Sequence, residues 1–344
     1  MRLLKHLCAL LLWAPGSMAL APEAFRAEAA PIILTQESQP FHRGVNVLGY
    51  DPYWNAGGQR RFEWRHFAEI HEAGFDFVRV NLQAFKHMDA AGRLEPQWLA
   101  KLDDVVKEAQ KNGLGVIIDE HDFDVCSKDV EACQTRLSAF WTQVAPLYAT
   151  APANVAFELL NEPHDKLNGD VWNGLFAQLL GIVRQSNPTR IVVVGPTHWN
   201  SLADLPLLKL PKDPNLLVTF HYYEPFHFTH QGATWAGDEV KHLHGIVWGS
   251  AADRAAMGGD FDKVAAWSQS NQRPILLGEF GAFDKSGTPL DLRTAYIGAA
   301  RGEAERHGFG WSYWQFEGDF VVWDMPNQRW IEPILKALIP APAQ

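Results

Sequence analysis

The sequence has 344 residues, enough for one (β/α)8 barrel of about 250 residues with insertions, or for two smaller domains. At 47% hydrophobic and 20% charged it is a globular chain, which excludes disorder, collagen and coiled coil. With 40 acidic against 30 basic residues, a net charge of -10, it carries no electrostatic footprint for nucleic acid.

Met1 to His6 is basic, Leu7 to Ala14 is apolar, and the segment closes on small residues at Ala19-Leu20-Ala21. This is the pattern of a secretory signal peptide, expected to be cleaved after Ala21, with Ala27-Glu28-Ala29 as a second site. The apolar run is too short to span a bilayer, which needs about 20 residues. Losing Arg2 and Lys5 leaves 28 basic against 40 acidic residues, a net charge of -12. The expected product is secreted, off the membrane and monomeric. Cys8 lies within the signal, so Cys126 and Cys133 remain as an even pair, expected to form a disulfide in an oxidising compartment. Closing so small a loop contributes about 2.5 kcal/mol on the chain-entropy model.

From residue 41 onward, short apolar runs alternate with amphipathic stretches. The predicted strands are 44–48, 75–81, 115–121, 155–161, 190–195, 216–221, 274–281 and 308–315. Helical patterns at 61–73, 96–112, 170–186 and 291–307 fall between them. Eight such alternations predict an α/β chain, a single (β/α)8 TIM barrel over residues 30–340. The rival open, doubly wound sheet lacks a glycine-rich phosphate fingerprint after its first strand. Residues 222–260, rich in Tyr, Phe, Trp and His, read as one long loop, and loops of that length are usually functional.

Barrel enzymes place their chemistry at the carboxyl ends of the strands. Here those ends carry Arg79 and Asn81, then Asp119-Glu120-His121, Asn161-Glu162-Pro163-His164, His221-Tyr222-Tyr223, Glu279 and Trp314. Two glutamates on different strands are what retaining glycoside hydrolysis needs: a protonated acid and an ionised nucleophile about 5–5.5 Å apart. The strings Phe157-Glu158-Leu159-Leu160-Asn161-Glu162-Pro163 and Leu276-Leu277-Gly278-Glu279-Phe280-Gly281 resemble the fourth- and seventh-strand motifs of glycoside hydrolase family 5, the cellulase-type family. Arg79, His121, His221 with Tyr223, and Trp314 match further strand-end positions of that family, so the resemblance extends over most of the chain.

The resemblance implies that Glu162 is the acid/base and Glu279 the nucleophile. It also implies substrate-binding roles: Asn161 toward the sugar 2-hydroxyl, Arg79 and Tyr223 holding Glu279 ionised, His121 and His221 lining the cleft, and Trp314 as a flat platform. Glu158 reads as structural, and Asp119, Glu120 and Asp122 as groups that orient His121 or bind backbone. Trp54, Trp199 and Trp235 are candidates either for outer sugar subsites or for packing under loops. The loop histidines His198, His227, His230, His242 and His244 are expected in solvent. No His-Glu-x-x-His string supports a metal, no cofactor is implied, and Ser312 lacks a nucleophile elbow.

The expected function is a retaining endo-β-glycosidase acting on a β-linked glucan, foremost an endo-β-1,4-glucanase. β-Mannan, xyloglucan and β-1,3-glucan remain alternative substrates. Transglycosylation and a non-hydrolysing carbohydrate-binding barrel remain alternative roles. With no binding module or linker in the sequence, soluble glucan chains fit better than crystalline cellulose.

Overall fold

The structure is a computed structural model that describes residues 34–341; the expected signal peptide lies outside the described residues. Eight parallel strands close into a barrel in sequence order. They are β1 (Arg43–Val47), β2 (Phe77–Leu82), β3 (Gly115–Glu120), β4 (Val155–Glu158), β5 (Val192–Val194), β6 (Leu216–Tyr222), β7 (Ile275–Phe280) and β8 (Gly310–Tyr313). Each lies within two or three residues of its expected position. β4 stops earlier, at Glu158, so Glu162 sits beyond the strand in a turn with φ 41° and not four residues up the same strand face.

The α-helices of six or more residues are α1 (Arg65–Glu72), α2 (Pro96–Lys111), α3 (Phe123–Lys128), α4 (Val130–Val144), α5 (Gly169–Ser186), α6 (Ala251–Asn271), α7 (Leu290–Arg306) and α8 (Glu332–Leu338). One correction concerns 222–260, which is not a single loop. α6 begins at Ala251, capped by Ser250, whose side chain accepts from the Asp253 N–H while Asp253 reaches back. Gly258 and Gly259 inside it, and its weak apolar stripe, hide the helix from a periodicity reading. None of the helices among the described residues is long and apolar enough to cross a membrane.

Most of the core lies between sheet and helices. A smaller cluster of Phe41, Phe77, Ile117, Ala156, Val193, Leu217 and Leu276 fills the barrel floor. Gly44 makes that floor possible: a Cβ there would lie 2.3 Å from the Phe77 ring. Because side chains alternate along a strand, the inward position two residues above Phe77 is Arg79, and above Ile117 is Asp119. The apolar floor therefore becomes a polar layer at mid-barrel. Cys126 and Cys133 are joined in a disulfide that ties α3 to α4 beside the β3 end.

Candidate active site

Arg79 is completely buried and uses its whole guanidinium. Nε and Nη2 donate to the two oxygens of Glu158 at 2.7 and 2.9 Å, a bidentate fork. Nη1 donates to Glu279 Oε1 at 2.7 Å and to Asn46 Oδ1 at 2.8 Å, and Nη2 donates to Asn161 Oδ1 at 2.7 Å. Asp119 Oδ2 lies 3.2 Å from Nη2. Burial works against this charge, but Asp119, Glu158 and Glu279 more than offset it and hold the guanidinium protonated.

Glu279 receives a second donor from the Tyr223 hydroxyl at 3.0 Å. Glu162 has neither Arg79 nor Tyr223 in hydrogen-bond contact; its Oε1 meets His221 Nδ1 at 2.6 Å. The same Nδ1 lies 3.6 Å from Glu279 Oε2, so both carboxyl groups face one imidazole. Burial lifts the pKa of Glu162 to about 7, against the pull of His121 and Arg79. Burial also raises Glu279, and the Glu162 charge adds to this, while His221 and Arg79 pull it down. With two strong donors on its oxygens, Glu279 is the first of the pair to ionise.

A slip in strand register brings His221 and Glu279 level. Phe220 pairs with Leu277 and His221 with Glu279, so Gly278 is the extra residue on β7. Only glycine fits there, since a Cβ would lie 2.4 Å from Thr219 Oγ1 and 2.9 Å from His221 Nε2. On the other side of the cleft, His121 Nδ1 meets Asp119 Oδ2 at 2.7 Å, and its Nε2 lies 3.4 Å from Asn161 Nδ2. Burial pushes His121 down to about 4, so the ring is neutral.

The structure thus gathers Arg79, His121, Asn161, Glu162, His221, Tyr223 and Glu279 into one hydrogen-bonded constellation. Trp314 stacks on His121 at 5.6 Å with an interplanar angle of 5° and is 9% exposed, so most of its ring is covered. Glu158 and Asp119 hold Arg79 and His121, as their strand positions suggest. Glu120 accepts from the Asp122 N–H, and Asp122 accepts from the Phe85 N–H.

Trp54 is no subsite: it is 4% exposed, its Nε1 donates to the Leu48 carbonyl, and its ring packs on Trp98. Trp199 and Trp235 stay open at 44% and 59%, the first stacked on His164 at 4.6 Å, the second beside His230. His198, His227, His242 and His244 are exposed. His230 is not; it is buried among Tyr223, Phe226 and Phe320, and burial pushes its pKa to about 3. Sequence reasoning also missed Asn46, which faces Arg79, and Tyr50, an exposed ring at φ 60° set edge-on to His121.

Glu162, His221 and Glu279 are the three side chains whose donor atoms all fall within 4.8 Å of one another among the described residues. Their close contacts are those of groups sharing protons, with Nδ1 already engaged by Glu162.

A family model for cellulase, glycosyl hydrolase family 5, matches residues 37–319. The chain belongs to this family. Endoglucanase H of Acetivibrio thermocellus is 28% identical over 295 residues, which are 83% of this chain but 31% of that protein. Cellodextrinase A of Ruminococcus flavefaciens is 29% identical over 261 residues, 72% of this chain and 78% of that one. A solved endoglucanase structure is 34% identical, covers 89% of this chain and 99% of its own, and superimposes with a TM-score of 0.84. Cel5A of Thermotoga maritima, solved with mannotriose, is 33% identical over 90% of this chain and 100% of its own, with a TM-score of 0.83. The family 5 barrel thus accounts for nearly all of the described residues.

Replacing Arg79 by Lys, which keeps a charge but loses the fork, should cost about 3–5 kcal/mol by leaving buried carboxylates unpaired. Urea unfolding measures this, and a variant as stable as the parent would remove Arg79 from its central place.

Proposed function

We propose that the protein is a retaining endo-β-1,4-glucanase in which Glu162 is the acid/base and Glu279 the nucleophile. The observation that carries this reading is the unequal bonding of two carboxyl groups in one cleft. Glu279 holds Arg79 at 2.7 Å and Tyr223 at 3.0 Å, whereas Glu162 holds only a neutral imidazole. One is built to be an anion, the other to keep a proton.

In the first step the Glu162 proton passes to the glycosidic oxygen as its bond to C1 breaks, and Glu279 forms a bond to C1. The leaving oxygen keeps the electron pair of the broken bond. In the second step Glu162, now a carboxylate, takes a proton from water, whose oxygen attacks C1 and releases Glu279. Asn161, its Oδ1 fixed by Arg79, has an Nδ2–H to offer the sugar 2-hydroxyl. Trp199 and Trp235 are exposed aromatic faces suited to neighbouring sugars.

The named relatives are endoglucanases and a cellodextrinase, which favours a β-1,4-glucan. A structure of the Thermotoga maritima enzyme with mannotriose keeps β-mannan as a second substrate. The Cys126–Cys133 disulfide fits export after removal of residues 1–21, because such bonds persist in oxidising compartments.

Reducing-sugar release from carboxymethyl cellulose, mixed-linkage β-glucan, xyloglucan, β-1,3-glucan and glucomannan tests the reading. Release is expected on the β-1,4-glucans, with Glu279→Gln at least about a thousand-fold slower yet folded. Silence of the parent on every polymer, or an active Glu279→Gln, would refute it. The pH profile gives a second test. Glu162 must carry its proton, so kcat/KM should fall as pH rises through about 7. Glu279 must have lost its own, so the rate should also fall on the acidic side. A rate still level well above the Glu162 pKa would remove that residue from the acid role.

A further inference from the structure

The turn after β5 holds a residue the mechanism has not used. His198, Trp199 and Asn200 have φ of 60°, 57° and 54°, three successive non-glycine residues in the left-handed region. The turn leaves Trp199 at the surface and drives Asn200 completely inside. There Asn200 Nδ2 lies 3.2 Å from His221 Nε2. Glycine at 195 makes the room, since a Cβ would sit 2.0 Å from Asn200 Oδ1. Across the ring, Nδ1 meets Glu162 Oε1 at 2.6 Å and Glu279 Oε2 at 3.6 Å.

Burial pushes His221 down to about 4, so the ring is neutral and carries one proton. Nδ1 faces two carboxyl oxygens, one of them on the anion held by Arg79, and a lone pair there would oppose that charge. The proton therefore belongs on Nδ1, which makes Nε2 an acceptor, and the Asn200 amide supplies its donor. With Nδ1–H donating to Oε1, the acid proton of Glu162 is left to Oε2, which makes no hydrogen bond to protein among the described residues. In the other tautomer, Nδ1 would draw that proton into an Oε1–H···Nδ1 bond and hold it away from a leaving group.

Resting on the acid role given to Glu162 above, we propose that Asn200 is a positioning residue. It fixes His221 as the Nδ1–H tautomer and thereby keeps the acid proton of Glu162 on its outer oxygen. The charged and titratable groups around the ring are Glu279, Glu162, Arg79, Glu158 and His121, and Asn200 is the partner of Nε2.

Two-bond 1H–15N correlation spectra of histidine-labelled protein, with His221→Gln to assign the signal, read the tautomer directly. The parent should show Nδ1–H. Asn200→Gly, which tolerates the left-handed turn, should populate Nε2–H and lower kcat about 10-fold at unchanged KM. Asn200→Asp should protonate both ring nitrogens. The added positive charge beside Glu162 should then move the alkaline limb of kcat/KM to lower pH. An Nε2–H ring in the parent would overturn the proposal, as would a tautomer and limb unmoved in both variants. The expected tautomer shifts in a protein that cleaves no glycan would instead overturn the acid role of Glu162, and this proposal with it.

Discussion

Arg79 sits where Asp119, Glu158 and Glu279 converge, at mid-barrel and out of reach of solvent. Three carboxyl groups in so small a volume would repel one another or take up protons if the cation were absent. The fork to Glu158 fixes the plane of the guanidinium, and that plane decides where its remaining N–H groups point. One reaches Glu279 and another Asn161, so a residue from the second strand sets the attitude of groups on the seventh and just beyond the fourth. Lysine, a point charge without a fork, could not aim at all of these at once.

From that constraint follows the unequal bonding of the two glutamates. The donors of Arg79 and Tyr223 are on Glu279, and what remains for Glu162 is one neutral ring. Burial is common to both and cannot separate them; the hydrogen-bond inventory does. The barrel supplies the setting by simple alternation. The inward positions of β2 run Phe77, Arg79, Asn81 and those of β3 run Ile117, Asp119, with His121 just past the strand end, so an apolar floor supports a charged layer and the charged layer supports the cleft.

Much of this was legible in the sequence, because strand ends and barrel chemistry both leave marks at fixed offsets. Apolar runs closing on Arg79, His121, Asn161-Glu162, His221 and Glu279 pointed to one end of the barrel; His121, Asn161, Glu162, His221 and Glu279 line the cleft there, and Arg79 lies in the layer beneath it. Trp54 was left open and His230 was placed in solvent for a shared reason. A ring beside a cleft can face in or out, and the choice is made by partners distant in sequence, such as Trp98 for the first and Phe320 for the second. α6 was missed because its glycines and mixed pattern weaken the periodic signal that tertiary packing then overrides. Asn200 left no signal, since its role arises from a left-handed turn at three ordinary residues and from the space left by Gly195.

In the proposed mechanism Glu279, and not Glu162, is the carboxylate that bonds to the sugar. A 2-deoxy-2-fluoro-β-cellobioside with a good leaving group slows the second step and traps the glycosyl-enzyme. Peptide mass spectrometry of the trapped protein is then the most direct measurement. One added 2-deoxy-2-fluorocellobiosyl mass is expected on the peptide that contains Glu279. A label on the Glu162 peptide, or an unlabelled enzyme releasing product of inverted configuration, would contradict it.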